Sequence, residues 1–117
     1  MDKLDKVKKV LHVLGNPTRL RIFNILMTGT HCNCEIADKS GLTINLISHH
    51  LKVLQEANLI QSERSDTDAR WVFYSINQQS LKSFQYDIQK FLDNDRIKHR
   101  VPACTPCKTR TSMEKHK

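Results

Sequence analysis

Residues 31–57 read His31-Cys32-Asn33-Cys34-Glu35-Ile36-Ala37-Asp38-Lys39-Ser40-Gly41-Leu42-Thr43-Ile44-Asn45-Leu46-Ile47-Ser48-His49-His50-Leu51-Lys52-Val53-Leu54-Gln55-Glu56-Ala57. The first part predicts a short helix that stops at Gly41, a residue suited to a left-handed turn position. In the second part Ile47, Leu51 and Leu54 recur at helical spacing, so another helix follows almost at once. Two helices joined by a tight Gly-bearing turn make a helix-turn-helix. The second helix presents Asn45, Ser48, His49 and Lys52 largely away from its apolar stripe, whereas His50, beside Leu51, is placed to turn toward the domain interior.

On the amino-terminal side, Leu4, Val7, Val10, Leu11 and Leu14 recur at three- and four-residue steps and predict an amphipathic helix ending at Gly15. Asn16 suits an N-cap and Pro17 the first helical position, where its missing N–H costs nothing. A second helix therefore runs through Leu20, Phe23, Leu26 and Met27 to about Gly29, with Arg19 and Arg21 off its apolar face. On the carboxyl side the period changes to about two. Leu59–Arg64 and Arg70–Ile76 read as strands around the polar turn Ser65-Asp66-Thr67-Asp68-Ala69, a hairpin that forms a wing. A last helix, about Gln78 to Leu92, carries Leu81, Phe84, Ile88, Phe91 and Leu92 at helical spacing. The expected fold is α+β, mostly α: a winged helix-turn-helix of order α-α-α-α-β-β-α. First and last helices together carry more apolar face than a 93-residue body needs, which suggests a dimer interface.

At 117 residues one domain is expected, residues 1–93, followed by a tail at 94–117 without apolar period. The chain holds 19 Lys+Arg against 12 Asp+Glu, a formal net charge of +7, which favours a polyanionic partner such as nucleic acid. The tail alone carries seven of those cations and two acids, so most of the excess is there. No apolar run approaches the roughly 18 residues of a membrane span, and the polar start Met1-Asp2-Lys3-Leu4-Asp5-Lys6 does not read as a signal peptide, so a cytoplasmic protein is expected. In that compartment four cysteines read as thiolates awaiting an ion or an oxidant. Enzyme chemistry is not expected: the sequence shows no Ser/His/Asp grouping, phosphate-binding Gly loop or His-x-Glu motif.

The order helix, helix, helix-turn-helix, hairpin, helix, with Cys32-Asn33-Cys34-Glu35-Ile36 opening one helix of the pair and Ser48-His49-His50-Leu51 in the next, resembles the ArsR/SmtB family of metal(loid)-sensing repressors. Asn16-Pro17-Thr18-Arg19-Leu20 and Ala57-Asn58-Leu59-Ile60 also look like the family pattern, and the resemblance spans about residues 5–93. It implies a homodimer that binds a partly palindromic operator and leaves it when an inducing ion binds. A recognition helix in the major groove places early polar side chains near base edges. Asn45 and Ser48 are then candidates for base contacts, His49 for a base or phosphate, Thr43 for a phosphate at the helix N-terminus, and Lys52 and Arg70 for the DNA backbone.

Cys32 and Cys34 would point roughly 200° apart on a regular helix, but at a frayed helix start both sulfurs can reach one ion. Thiolates select soft or borderline ions: As(III), Cd(II), Pb(II), Zn(II) or Cu(I). In the resembling family a Cys-x-Cys at this place holds the inducer, which singles out this pair, with As(III) first and Cd(II) or Pb(II) behind it. Most such ions want three or four ligands, and Cys104 and Cys107 can complete the set if the tail folds back. His31 can stand in for a missing sulfur ligand, but a lone His beside a loop reads first as a solvated side chain. The stretches Asn77–Ser80 and Phe91–Asn94 lack the acid and His set of members with a zinc site on the last helix. No cysteine precedes Cys32, and Ala37 stands where some arsenic-responsive members have a third. Two other readings stay open: a redox-responsive or constitutive winged-helix regulator, and a closed structural zinc site of all four cysteines.

Overall fold

Asn16 acts as its place ahead of Pro17 dictates: its side-chain oxygen accepts from the N–H groups of Thr18 at 2.9 Å and Arg19 at 3.1 Å, starting a helix at Pro17. In the computed structural model, which describes residues 2–68 and 70–104, the elements are α1 (Lys3–Leu14), α2 (Pro17–Leu26), β1 (His31–Cys32), α3 (Asn33–Ser40), α4 (Ile44–Glu56), β2 (Ile60–Arg64), β3 (Val72–Ile76) and α5 (Gln78–Phe91). A single 3-10 turn, Asn94–Arg96, follows. This is the expected winged helix-turn-helix.

One element was not expected. The two-residue strand β1 pairs antiparallel with β3, His31 opposite Tyr74 and Cys32 opposite Phe73, so the wing hairpin is part of a three-stranded sheet of order β1-β3-β2. In the hairpin Ile60 faces Ile76 and Arg64 faces Val72. The strands are shorter than read from sequence. Asn58 takes a left-handed φ of 62° just before β2, and Trp71 lies ahead of β3, its carbonyl accepting from Ser65 N and its N–H donating to Asp68 O.

Ile22, Leu26, Ile36, Ile47, Leu51, Leu54, Leu59 and Ile60 form the fully buried core, drawn from α2, α3, α4 and the start of the hairpin. The helix-turn-helix is thus fixed from behind by its own stripe. Gly41 adopts φ 75°, ψ 13° and its N–H closes on Ala37 O at 2.8 Å, the left-handed stop that the turn requires. Arg21 of α2 donates to Ser40 O at 3.3 Å and holds the end of α3 in place.

The outer helices behave differently. α1 buries only Val7 and Val13, α5 has no buried residue, and Leu4, Leu11, Phe91 and Leu92 remain exposed. Leu4, Val7, Leu11 and Phe91 line one open apolar groove. No helix among the described residues is long and apolar enough to cross a membrane.

Candidate DNA interface and thiol site

Thr43 is the N-cap of α4, its Oγ1 accepting from Leu46 N at 3.2 Å. Its hydroxyl proton stays available to donate outward, beside the N–H groups of a helix N-terminus, which favours an anion. Asn45, Ser48, His49 and Lys52 are all exposed, and their spacing of three, four and seven residues from Asn45 sets them on one face of α4. The opposite face is the buried one, with Ile47, His50, Leu51 and Leu54. The structure therefore gathers five sequence-predicted contacts, Thr43 included, on a single surface.

Arg70 stands on the wing, with a side chain 88% exposed, but its guanidinium is already engaged. Nε and Nη2 donate to the two carboxylate oxygens of Asp68 at 3.1 and 2.8 Å. The pair holds the Asp68 carboxyl below its ordinary range and Arg70 above its own, through the hydrogen bonds between them. A phosphate would have to share or displace Asp68. Sequence reasoning passed over Asp68 as a turn residue.

The thiols sit at the other helix of the pair. Cys32 ends β1, is the N-cap of α3 and is buried; Cys34, in the first turn, is exposed, and both are free. The N–H of Cys32 donates to Glu35 Oε1 at 3.0 Å, the return half of a capping box. That hydrogen bond, opposed in part by burial, keeps the Glu35 carboxyl below its ordinary range. Among the described residues no group of three or more His, Cys, Asp or Glu is gathered as a metal site. Cys104 stands in a disulfide in this structure, and Cys107 lies outside the described residues.

His31 corrects the sequence reading. It is buried, 6% exposed, because its strand pairs with β3 and its ring is held at both nitrogens. Nδ1 lies 2.7 Å from Gly29 O and so donates; Nε2 lies 2.8 Å from Lys39 Nζ and accepts. Both ring nitrogens are thus taken by protein partners. His50 is buried as its place beside Leu51 suggested. Arg19, read only as lying off the apolar face, donates to it at 3.4 Å. The two residues are 31 positions apart, and no local pattern announces the pair.

A helix-turn-helix with an exposed polar recognition face and an adjoining wing defines a winged-helix DNA-binding protein. The family model described as "Bacterial regulatory protein, arsR family" matches residues 16–62. The chain is 34% identical over 83 residues to an uncharacterized HTH-type transcriptional regulator of Methanocaldococcus jannaschii, covering 70% of this chain and 90% of that protein. It is 30% identical over 79 residues to the arsenical resistance operon repressor of Bacillus subtilis, covering 67% and 72%. Among solved structures, the homodimeric winged helix-turn-helix DNA-binding domain of a possible ArsR-family regulator from Mycobacterium bovis superposes with a TM-score of 0.60 at 25% identity, covering 86% of this chain and 90% of that one. The chain belongs to the ArsR/SmtB family of transcriptional regulators.

Proposed function

We propose that the protein is a homodimeric repressor that binds operator DNA through Thr43, Asn45, Ser48, His49 and Lys52 of the recognition helix and Arg70 of the wing, and is released by a thiophilic ion. The observation that carries the ion reading is the placement of two free thiols, Cys32 and Cys34, at the start of the helix that leads through Gly41 into α4. As(III) is the first candidate, Cd(II) and Pb(II) the next, because an all-sulfur donor set prefers soft ions. The relative from Bacillus subtilis named as an arsenical resistance repressor supports that order. The exposed Leu4, Leu11, Phe91 and Leu92 and the homodimeric structural neighbour support the dimer.

Two thiolates leave such an ion short of ligands, and the described residues offer no third beside them. Cys104 and Cys107 of the tail (residues 94–117, outside the winged-helix body 1–93) are assigned as the sulfurs that complete the set. An ion held by buried Cys32 at the N-cap and exposed Cys34 in the first turn is proposed to act by distorting the start of α3. An inducer drives release only through such a difference between its two states, about 1.4 kcal/mol for each tenfold. The disulfide at Cys104 favours a second reading, in which oxidation at Cys104 modulates the protein without any ion.

The test is fluorescence anisotropy of the reduced protein on operator DNA from its own promoter, titrated with As(III), Cd(II), Pb(II) and Zn(II). Release that disappears in Cys32→Ser/Cys34→Ser and weakens in Cys104→Ser/Cys107→Ser is expected. Release at the same ion concentration in all three proteins would overturn the thiol site, and release by peroxide alone would establish the redox reading.

A further inference from the structure

Beneath the DNA-facing side of α4 lies a polar contact that the ion site does not use. Arg19, the third residue of α2, sends Nε to Val13 O near the end of α1 at 2.7 Å and Nη1 to His50 Nδ1 on α4 at 3.4 Å. One guanidinium thereby joins three helices: the exposed apolar helix α1, the core helix α2 and the recognition helix. His50 is 7% exposed, and its ring lies edge-on to that of His49, with centroids 5.1 Å apart. The charged or titratable groups acting on the His50 ring are Arg19 from α2 and His49 from α4 itself; α1 contributes only the Val13 carbonyl, on the far side of Arg19. Among the described residues no carboxylate is paired with Arg19.

This arrangement works for one protonation state only. Arg19 has no lone pair to offer, so His50 Nδ1 must be the acceptor and the ring must be neutral. A proton on Nδ1 would set donor against donor and place two cations in contact in a half-buried site without a counter-ion. Burial first, then Arg19 and His49, hold the His50 ring below its ordinary pKa range, in agreement with the geometry.

We propose that Arg19 and His50 form a strut positioning the recognition helix, and that protonation of His50 breaks it and weakens operator binding in acid. His49, one residue along, faces outward. The inference rests on the DNA-binding reading of α4 and not on the ion site.

The experiment measures operator affinity of the reduced full-length protein by anisotropy from pH 5.5 to 8 at constant ionic strength, for the parent and for His50→Gln. The glutamine carbonyl accepts from Arg19 but does not titrate. Between pH 7.5 and 5.5 the parent is expected to lose about tenfold more affinity than His50→Gln, the scale of a modest two-state population shift. Superimposable profiles would overturn the proposal. Should His50→Gln not fold, an NMR titration of the histidine rings decides: His50 is expected to titrate below the ordinary histidine range in the parent and closer to it in Arg19→Gln. An ordinary or raised value in the parent would overturn the strut. Failure of the parent to hold operator at pH 7.5 would instead overturn the DNA-binding reading of α4, and with it the strut's role.

Discussion

Cys32 lies directly opposite Phe73 across the β1–β3 pairing, so the candidate ion ligand is joined by backbone to the wing strand, two residues from the single tryptophan of the chain, Trp71. Trp71 is 46% exposed and free to report a change in the wing. Titration with As(III) is expected to shift Trp71 emission, saturating at one ion per protomer, and the change is expected to vanish in Cys32→Ser. An emission spectrum constant through ion-driven release of DNA would show that the wing takes no part.

Glu35 ties the start of α3 to the end of β1 through the Cys32 N–H. Glu35→Gln keeps the shape but weakens the hydrogen bond, because a charged acceptor binds an N–H more strongly than a neutral one. The variant is expected to melt lower than the parent at neutral pH. The sign of the pH dependence follows from the lowered carboxyl: its contribution is present above the ordinary carboxylate pKa and is lost as pH falls through the lowered folded-state value. The two melting curves should therefore converge in strong acid. A gap that persists there would assign the effect to packing.

Asp68 restrains the wing cation. Asp68→Asn removes the competing charge and is expected to tighten DNA binding, with the log-log salt slope steepening by about 0.9 for each phosphate that Arg70 then engages. Because the Asp68 carboxyl is held below its ordinary range, the parent keeps this restraint throughout the neutral and mildly acidic range. An unchanged salt slope would show that Arg70 contacts no phosphate.

Asn45 and Lys52 share the exposed face of α4 but are assigned different work. Asn45→Ala is expected to cost about 1–3 kcal/mol of operator affinity and to relax preference at one base pair. Lys52→Ala is expected to weaken operator and random DNA alike and to lower the salt slope by about 1 per protomer. Competition binding with random DNA separates the two outcomes.

Leu11 is 48% exposed on α1 and lines the apolar groove with Leu4 and Phe91. Leu11→Glu places a charge in that groove without touching the core residues of α2 to α4. Sedimentation is expected to show a monomer with near-parent helicity and much weaker operator binding. A variant that still sediments as a dimer would put the interface elsewhere.

Most of this fold is written in short-range chemistry. Asn16-Pro17 and Gly41 announce two helix boundaries because capping and left-handed turns depend on residues within a few positions. The exposed polar face of α4 was legible because Ile47, Leu51 and Leu54 define its reverse. β1 was not, since two residues cannot display an alternation, and its strand character comes wholly from β3. His31 was misplaced for the same reason: the partners that bury it, Gly29 O and Lys39, meet it only once strand and helix are formed. The side of α1 that faces inward was only partly legible. Val13, outside the stripe read from Leu4 to Leu14, is buried, whereas Leu4 and Leu11 within it are not. Arg70 was identified as a wing cation, but Asp68, two positions away, holds it in a turn conformation that composition does not specify.

The N-cap of α3 is a position that serine, threonine, aspartate and asparagine fill best, and here it holds a cysteine. A thiol is a weak acceptor for backbone N–H groups, so at the start of this eight-residue helix the Cys32 N–H to Glu35 bond is the stronger half of the capping box. Replacing that sulfur with oxygen should firm the helix at the very position where the ion chemistry is assigned. If Cys32 holds the proposed ion, drift from cysteine to serine at this N-cap would firm α3 and silence the response in a single step.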